Sequence, residues 1–426
     1  MNDKAPAAAA PPAWQGPGLR EFVALVAALM ASNALAIDAM LPALPAIGEA
    51  LGVAEENRRQ LVITAYLLGF GVAQLVYGPL SDRFGRKGLL IAGLGCYSLF
   101  ALLAGIAADF TWLLAARAMQ GVAAAATRVL VVSIVRDRYQ GSAMAQVMST
   151  VMIVFMVVPV LAPSFGQGIL HVATWRHIFI VLAVYGAVLA AWTWLRLPET
   201  LRPEHRRPLS VGTIAEAVMI TLRTRQSIGN TIAQALVMGA LFAFINSIQQ
   251  IVFDVFRRPE LIGIVFACIA GPMAFSSYAN VKLVMRFGSR RLLLIALTAF
   301  TCVAATHLLV AQVAGETIWT FVLMQAATMT FFGLIGANGG ALAMEPLGHI
   351  AGTASSLQGV ITTVGGALIG LAVGQNFDGT TGPFLIGFTL CGLSALVVAT
   401  WANRPPNQDA RDKGEVEIQE TVSRPG

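Results

Sequence analysis

Asp38 is the only formal charge in the apolar run from about Phe22 to Leu44. A carboxylate at that depth costs about 2.5–3.5 kcal/mol on insertion scales, so it should face a partner or a water-filled cavity, where it can exchange a proton. Arg117, which opens Arg117-Ala118-Met119-Gln120-Gly121, is a second ionisable group inside an apolar stretch. At 1.5 Å per residue both groups fall about 8–9 Å from the bilayer midplane, on the same side. They can meet as an ion pair if their helices are neighbours. Arg128 lies about 20° round the helix from Arg117, in the other half of the membrane. It reads either as an attractor for an anionic group or as a packed or snorkelling arginine.

These residues need helices to hold them. The chain has 426 residues, 57% hydrophobic and 12% charged, against about 25% charged in a soluble domain. Twelve apolar stretches of bilayer length recur between Phe22 and Ala402. The expected fold is an all-α membrane protein with twelve transmembrane helices, and the long segments exclude a β-barrel. The net charge of +6 does not point to nucleic acid, because Lys and Arg concentrate in alternate loops. These include Arg83, Arg86 and Lys87, then Arg136 and Arg138, then Arg286, Arg290 and Arg291. The positive-inside rule then puts both termini in the cytoplasm.

Five regions are expected: a disordered cytoplasmic leader (1–20), an N-terminal six-helix bundle (21–197), a cytoplasmic linker (198–226), a C-terminal six-helix bundle (227–403) and a disordered tail (404–426). In the linker, Val211, Ile214, Ala215, Val218, Met219 and Leu222 form one apolar stripe. The stripe predicts a helix capped by Ser210, lying on the inner membrane surface or packed on the body. Cys96, Cys268, Cys302 and Cys391 sit in apolar runs and read as buried reduced thiols. No residues have metal-ligand spacing, and only His307 among the histidines falls in a span. No cofactor is expected. No G-x-x-x-x-G-K-[ST] stretch occurs, so ATP does not drive this chain directly.

The two halves repeat. Arg83-Phe84-Gly85-Arg86-Lys87-Gly88-Leu89-Leu90 returns as Arg286-Phe287-Gly288-Ser289-Arg290-Arg291-Leu292-Leu293, each time between the second and third spans of its half. Duplicated six-span halves are a transporter architecture.

Gly78-Pro79-Leu80-Ser81-Asp82-Arg83-Phe84-Gly85-Arg86-Lys87 resembles the loop signature G-x-L-x-D-R-x-G-R-[RK] of the major facilitator superfamily at every defined position. The resemblance covers about residues 20 to 403. It implies two pseudo-symmetric bundles around a central cavity lined by spans one and four. It ties Arg117 to proton coupling through R-x-x-Q-G. It also implies that the loop gates the transporter by contacts across the halves, with Arg136 as the partner of Asp82. Met285 replaces that acid in the second copy, so the lock should be one-sided.

Pro159-Val160-Leu161-Ala162-Pro163-Ser164-Phe165-Gly166-Gln167-Gly168 resembles the span-five motif of drug/proton antiporters, with Gln167 in place of a glycine. Pro159, Pro163 and Gly166 are therefore expected at a gate, where the prolines permit bending. Ala36-Ile37-Asp38-Ala39-Met40-Leu41-Pro42-Ala43-Leu44-Pro45 is similar to span one of bicyclomycin/chloramphenicol-resistance-type exporters. Candidate cavity residues are Asn33, Tyr66, Gln74, Gln120, Arg128, Met152, Met156, Met238, Asn246, Gln249 and Gln250. Each also reads as packing or interhelical bonding. Taken together, the resemblance implies a proton-coupled antiporter in the plasma (inner) membrane, acting as a monomer and exporting small amphipathic compounds such as antibiotics. A proton-coupled importer or facilitator of a natural solute is the alternative.

Overall fold

In hydrocarbon each backbone N–H and C=O has to be satisfied within its own segment, so apolar runs of this length form helices. The computed structural model describes residues 16–139, 141–201, 204 and 211–404. All regular elements among them are helical. Eleven segments are long and apolar enough to cross a bilayer. In the first half these are span one, Leu19–Ala50; span two, Glu56–Phe84; span three, Arg86–Gly105; span four, Phe110–Arg138; and span six, Trp175–Arg196. In the second half they are span seven, Arg225–Val255; span eight, Pro259–Phe287; span nine, Ser289–Ala314; span ten, Ile318–Gly348; span eleven, Ala351–Gln375; and span twelve, Gly382–Ala402. Span five is the helix Gly141–Val172, with the apolar stretch Val157–Val172. The protein is thus a multi-pass membrane protein of the expected class. Most of the expected leader, the Ser210 cap and nearly all of the expected tail lie outside the described residues.

The helix pairings carry the duplication. Span one packs on span five, two on four, and three on six. Six spans later the same pairs return as seven on eleven, eight on ten, and nine on twelve. The halves meet through span two against eleven and span five against eight, contacts that a twofold exchange of the halves interconverts. The repeated loop has one backbone geometry in both copies. Gly85 (φ +97°) and Gly288 (φ +73°) each end one helix and begin the next, in a left-handed conformation that glycine adopts without Cβ strain.

The linker helix takes one of its two expected placements, and the cysteines need correction. The linker helix, Val211–Arg223, packs against spans seven and eleven with Ala217 and Thr221 buried, whereas Met219 and Leu222 of the apolar stripe are exposed. Small residues allow the close approach, and Met219 and Leu222 point away from the body. Among the cysteines only Cys391 is buried; Cys96, Cys268 and Cys302 are exposed free thiols. On a membrane protein, the outer surface accepts a weakly polar thiol as readily as the core does.

Candidate functional site

Pro42 shapes the centre of the site. It has no N–H to donate back to the Asp38 carbonyl, and it disfavours helix in the residue before it. The first helix of span one therefore ends at Asp38, and the chain turns through Leu41–Ala43 before resuming at Leu44–Ala50. Ending a helix inside the membrane leaves carbonyls without onward partners. Arg117 of span four takes one of them: its Nη2 donates to Ala36 O at 3.0 Å. Its Nε donates to Val62 O of span two at 3.1 Å, and its Nη1 to Gln120 Oε1 at 2.8 Å. The guanidinium also lies 4.6 Å from the Tyr66 ring centroid and 5.8 Å from that of Phe179. A cation at a helix C-terminus is favoured by the helix dipole, and Arg117 is fully buried there.

A polar chain continues from it. Tyr66 donates its hydroxyl to Asn33 Oδ1 at 3.0 Å, and Asn33 donates to Thr127 Oγ1 at 2.8 Å. Asn33, Tyr66, Gln120 and Arg117 thus form one buried network inside the first half.

Asp38 is not part of that network, which corrects the expected ion pair. Every side-chain hydrogen bond of Arg117 is accounted for by Ala36, Val62 and Gln120. Asp38 is 3% exposed, and its Oδ1 has no hydrogen-bond partner among the described residues. The guanidinium meets span one at a backbone carbonyl near the helix end and not at the carboxylate.

Close backbone contacts fix these positions. A side chain at Gly121 would collide with the Tyr66 carbonyl, and one at Gly69 with the Ala118 carbonyl, so spans two and four interlock by reciprocal glycines. Gly166 of span five abuts the carbonyl of Ala39, the residue after Asp38. The span-five motif therefore touches the break in span one directly. Pro159 and Pro163 lie inside the same continuous helix.

The loop after span two departs from the expected pairing. Asp82 pairs with Arg86 at 2.7 Å, and Arg86 also reaches Asp137 at 3.3 Å and the Ser81 hydroxyl. Arg136 is exposed and makes no ion pair among the described residues. Arg86, four residues beyond Asp82 and nearly buried, is close enough to bind both acids, so this lock stays within the first half. The carboxylate of Glu199 accepts from the backbone N–H of Arg86 at 2.8 Å and of Lys87 at 3.1 Å, capping the N-terminus of span three. Arg83 lies over the Phe84 ring. In the second copy Met285, at the position of Asp82, is exposed.

The contacts that do cross between halves are neutral. Gln74 donates to Thr363 Oγ1 of span eleven at 3.1 Å, and Gly78 lies beside Ser356. On the face opposite the two chain ends, Gln60 donates to Gln250 Oε1 at 2.5 Å and to Gly374 O at 3.1 Å. There Gln250 donates to Asn57 Oδ1 at 2.7 Å, and Asn57 donates to Gln375 O at 3.1 Å and Phe377 O at 3.0 Å. Gln74 and Gln250 are therefore interface residues and not free cavity walls. Met238 packs against Gly366. Asn246 is fully buried with both amide atoms unpartnered among the described residues, and Gln249 is buried beside it in span seven. Arg128 is exposed. The side chains of Met152 and Met156 lie outside the described set.

Sequence reasoning missed Asn57, Gln60, Gln375, Thr127, Asp137 and Glu199. Glu199 was legible in principle, as an acid placed just beyond span six on the basic-loop side. His307 forms a separate buried pair with Glu316 at 2.5 Å, and Glu316 accepts from Thr381 at 2.5 Å. No cluster of metal-ligand type occurs among the described residues.

The profile of the Major Facilitator Superfamily matches residues 26–370. The chain is 32% identical to the MFS-type transporter YdgK of Bacillus subtilis, over 80% of this chain and 85% of that one. It is 30% identical to the bicyclomycin resistance protein homolog of Haemophilus influenzae, over 83% and 89%. Its fold matches the crystal structure of the human organic anion transporter MFSD10 with a TM-score of 0.65 at 18% identity, over 91% of this chain and 100% of that one. With a duplicated six-span architecture, the signature loop and a profile match over most of its length, this chain belongs to the Major Facilitator Superfamily of membrane transporters.

Proposed function

We propose that the chain exports small amphipathic compounds of the antibiotic class in exchange for protons across the plasma (inner) membrane, as a monomer with both termini cytoplasmic. The observation that carries this reading is the Asp38 carboxyl group, buried with an unpartnered oxygen at the break in span one. Burying an ionised carboxylate without compensation is costly, and gaining a proton removes that cost. Proton uptake at Asp38 can therefore be tied to movement of the break, which spans five and seven touch. Arg117 is the fixed support: it holds the span-one backbone while the acid titrates. Each unit of pH gradient supplies about 1.36 kcal/mol per proton, and each net charge moved about 2.3 kcal/mol per 100 mV.

The positive-inside rule orients the molecule. In that orientation the amide contacts of Asn57, Gln60, Gln250 and Gln375 lie at the outer face and hold it shut. The drug-exporter sequence of span five and the name of the Haemophilus relative, a bicyclomycin resistance protein homolog, support export. The test is a resistance screen in a pump-deficient bacterial host. The wild-type chain should raise the inhibitory concentration of several compounds, and Asp38→Asn and Arg117→Ala should not. Accumulation of a labelled solute under an inward proton gradient, with no resistance to any compound, would establish the importer instead.

A further inference from the structure

Arg128 lies on span four, eleven residues beyond Arg117. Its neighbours Ala124, Thr127 and Val131 are buried, yet Arg128 is exposed. An exposed side chain on the face turned away from lipid projects into an internal cavity. It does not project to lipid: the exposed apolar residues Trp112 and Met119 lie about 160–180° round the helix from it. Val132, one turn on, is exposed on the Arg128 side, so the cavity continues toward the end of span four that holds Arg138.

Among the described residues Arg128 has no counter-charge. No described acid pairs with it. Asp137, the acid of its own helix, is taken by Arg86 and by the Thr200 hydroxyl, and span five, between Gly141 and Val172, contains no Asp or Glu. Arginine inside the membrane ordinarily finds a partner. A low-dielectric cavity wall focuses the field of an unpaired one on whatever enters, and the planar guanidinium fits a carboxylate or sulfonate through two parallel hydrogen bonds.

We infer that Arg128 is the anion-binding element of the transport cavity and that the substrates are amphipathic compounds bearing a carboxylate, sulfonate or similar anionic group. This deepens the transport reading above, and it depends on that reading for the role of the cavity but not for the direction of movement.

The test uses the purified full chain in nanodiscs and two fluorescent probes, dansylglycine and dansylglycinamide, which differ in a carboxylate against an amide. Titrations are corrected with empty nanodiscs. The wild type should bind the anionic probe about tenfold tighter or more. Arg128→Gln should bring the ratio to about one, and Arg128→Lys should restore much of it. Arg128→Glu should favour the cationic dansyl-ethylenediamine. An equal affinity for both probes in the wild type, or an unchanged preference in a monodisperse Arg128→Gln protein, overturns the inference. Failure of the export reading is separate: charge preference without any resistance phenotype removes export and leaves this site standing.

Discussion

Arg117 Nη2 lies 3.0 Å from the carbonyl oxygen of Ala36, two residues before the acid of the same span. The arginine thus binds an orphaned backbone group at the end of a broken helix, and the acid remains without it. Because the two charges do not touch, their substitutions should be nearly independent. Asp38→Asn combined with Arg117→Lys is expected to shift thermal stability by the sum of the single shifts, within about 0.5 kcal/mol. A coupling above about 1 kcal/mol would mean that they pair. Arg117→Ala leaves two carbonyls and the Gln120 amide oxygen without their donor and should cost at least about 3 kcal/mol.

The loop after span two offers a comparison between charges. Arg86 is 3% exposed and holds two acids, so Arg86→Ala should destabilise by about 3 kcal/mol or more. Asp82→Ala and Asp137→Ala should be strongly non-additive, because they share that partner. Arg136→Ala should lie within about 0.5 kcal/mol of wild type. Thermal unfolding followed by size-exclusion chromatography of the detergent-solubilised protein ranks the four.

Glycine contacts predict sharp differences between neighbours. Gly166→Ala drives a methyl group into the Ala39 carbonyl, whereas Gly168 has nothing within 4 Å of an added Cβ. The first substitution should reduce transport about tenfold or more through displacement of the break, at near-normal expression. The second should be silent. Parallel transport assays at matched protein levels decide this.

The amide contacts of Asn57 and Gln60 with Gln250 and Gln375 hold the two halves together. Each neutral bond contributes only about 0.5–1.5 kcal/mol, so removing several shifts the balance of conformations without unfolding the chain. In a background lacking the four native cysteines, Asn246→Cys should react several-fold faster with a membrane-impermeant maleimide once Asn57→Ala and Gln60→Ala are added. Unchanged reactivity would show that these contacts do not gate access.

Much of the architecture was legible because span length and loop charge are one-dimensional properties. The Arg83-Phe84-Gly85 repeat carried the duplication, whereas the break at Pro42 within span one was not anticipated. Partners were less legible. Residue counts gave Asp38 and Arg117 a common depth, but depth leaves azimuth free, and Ala36 rather than Asp38 faces the guanidinium. Asp82 and Arg86 had pairing distance in the sequence itself, yet the resemblance pointed to Arg136. The outer contacts of Asn57 and Gln375 join positions more than 300 residues apart, and no local spacing encodes that.

The central claim is that Asp38 carries the proton, and proton flux during transport tests it most directly. In proteoliposomes with a pH-sensitive dye inside, substrate addition should move protons through the wild type. Asp38→Asn should move none while still exchanging labelled substrate between the two sides. Proton movement by Asp38→Asn at the wild-type rate would contradict the account.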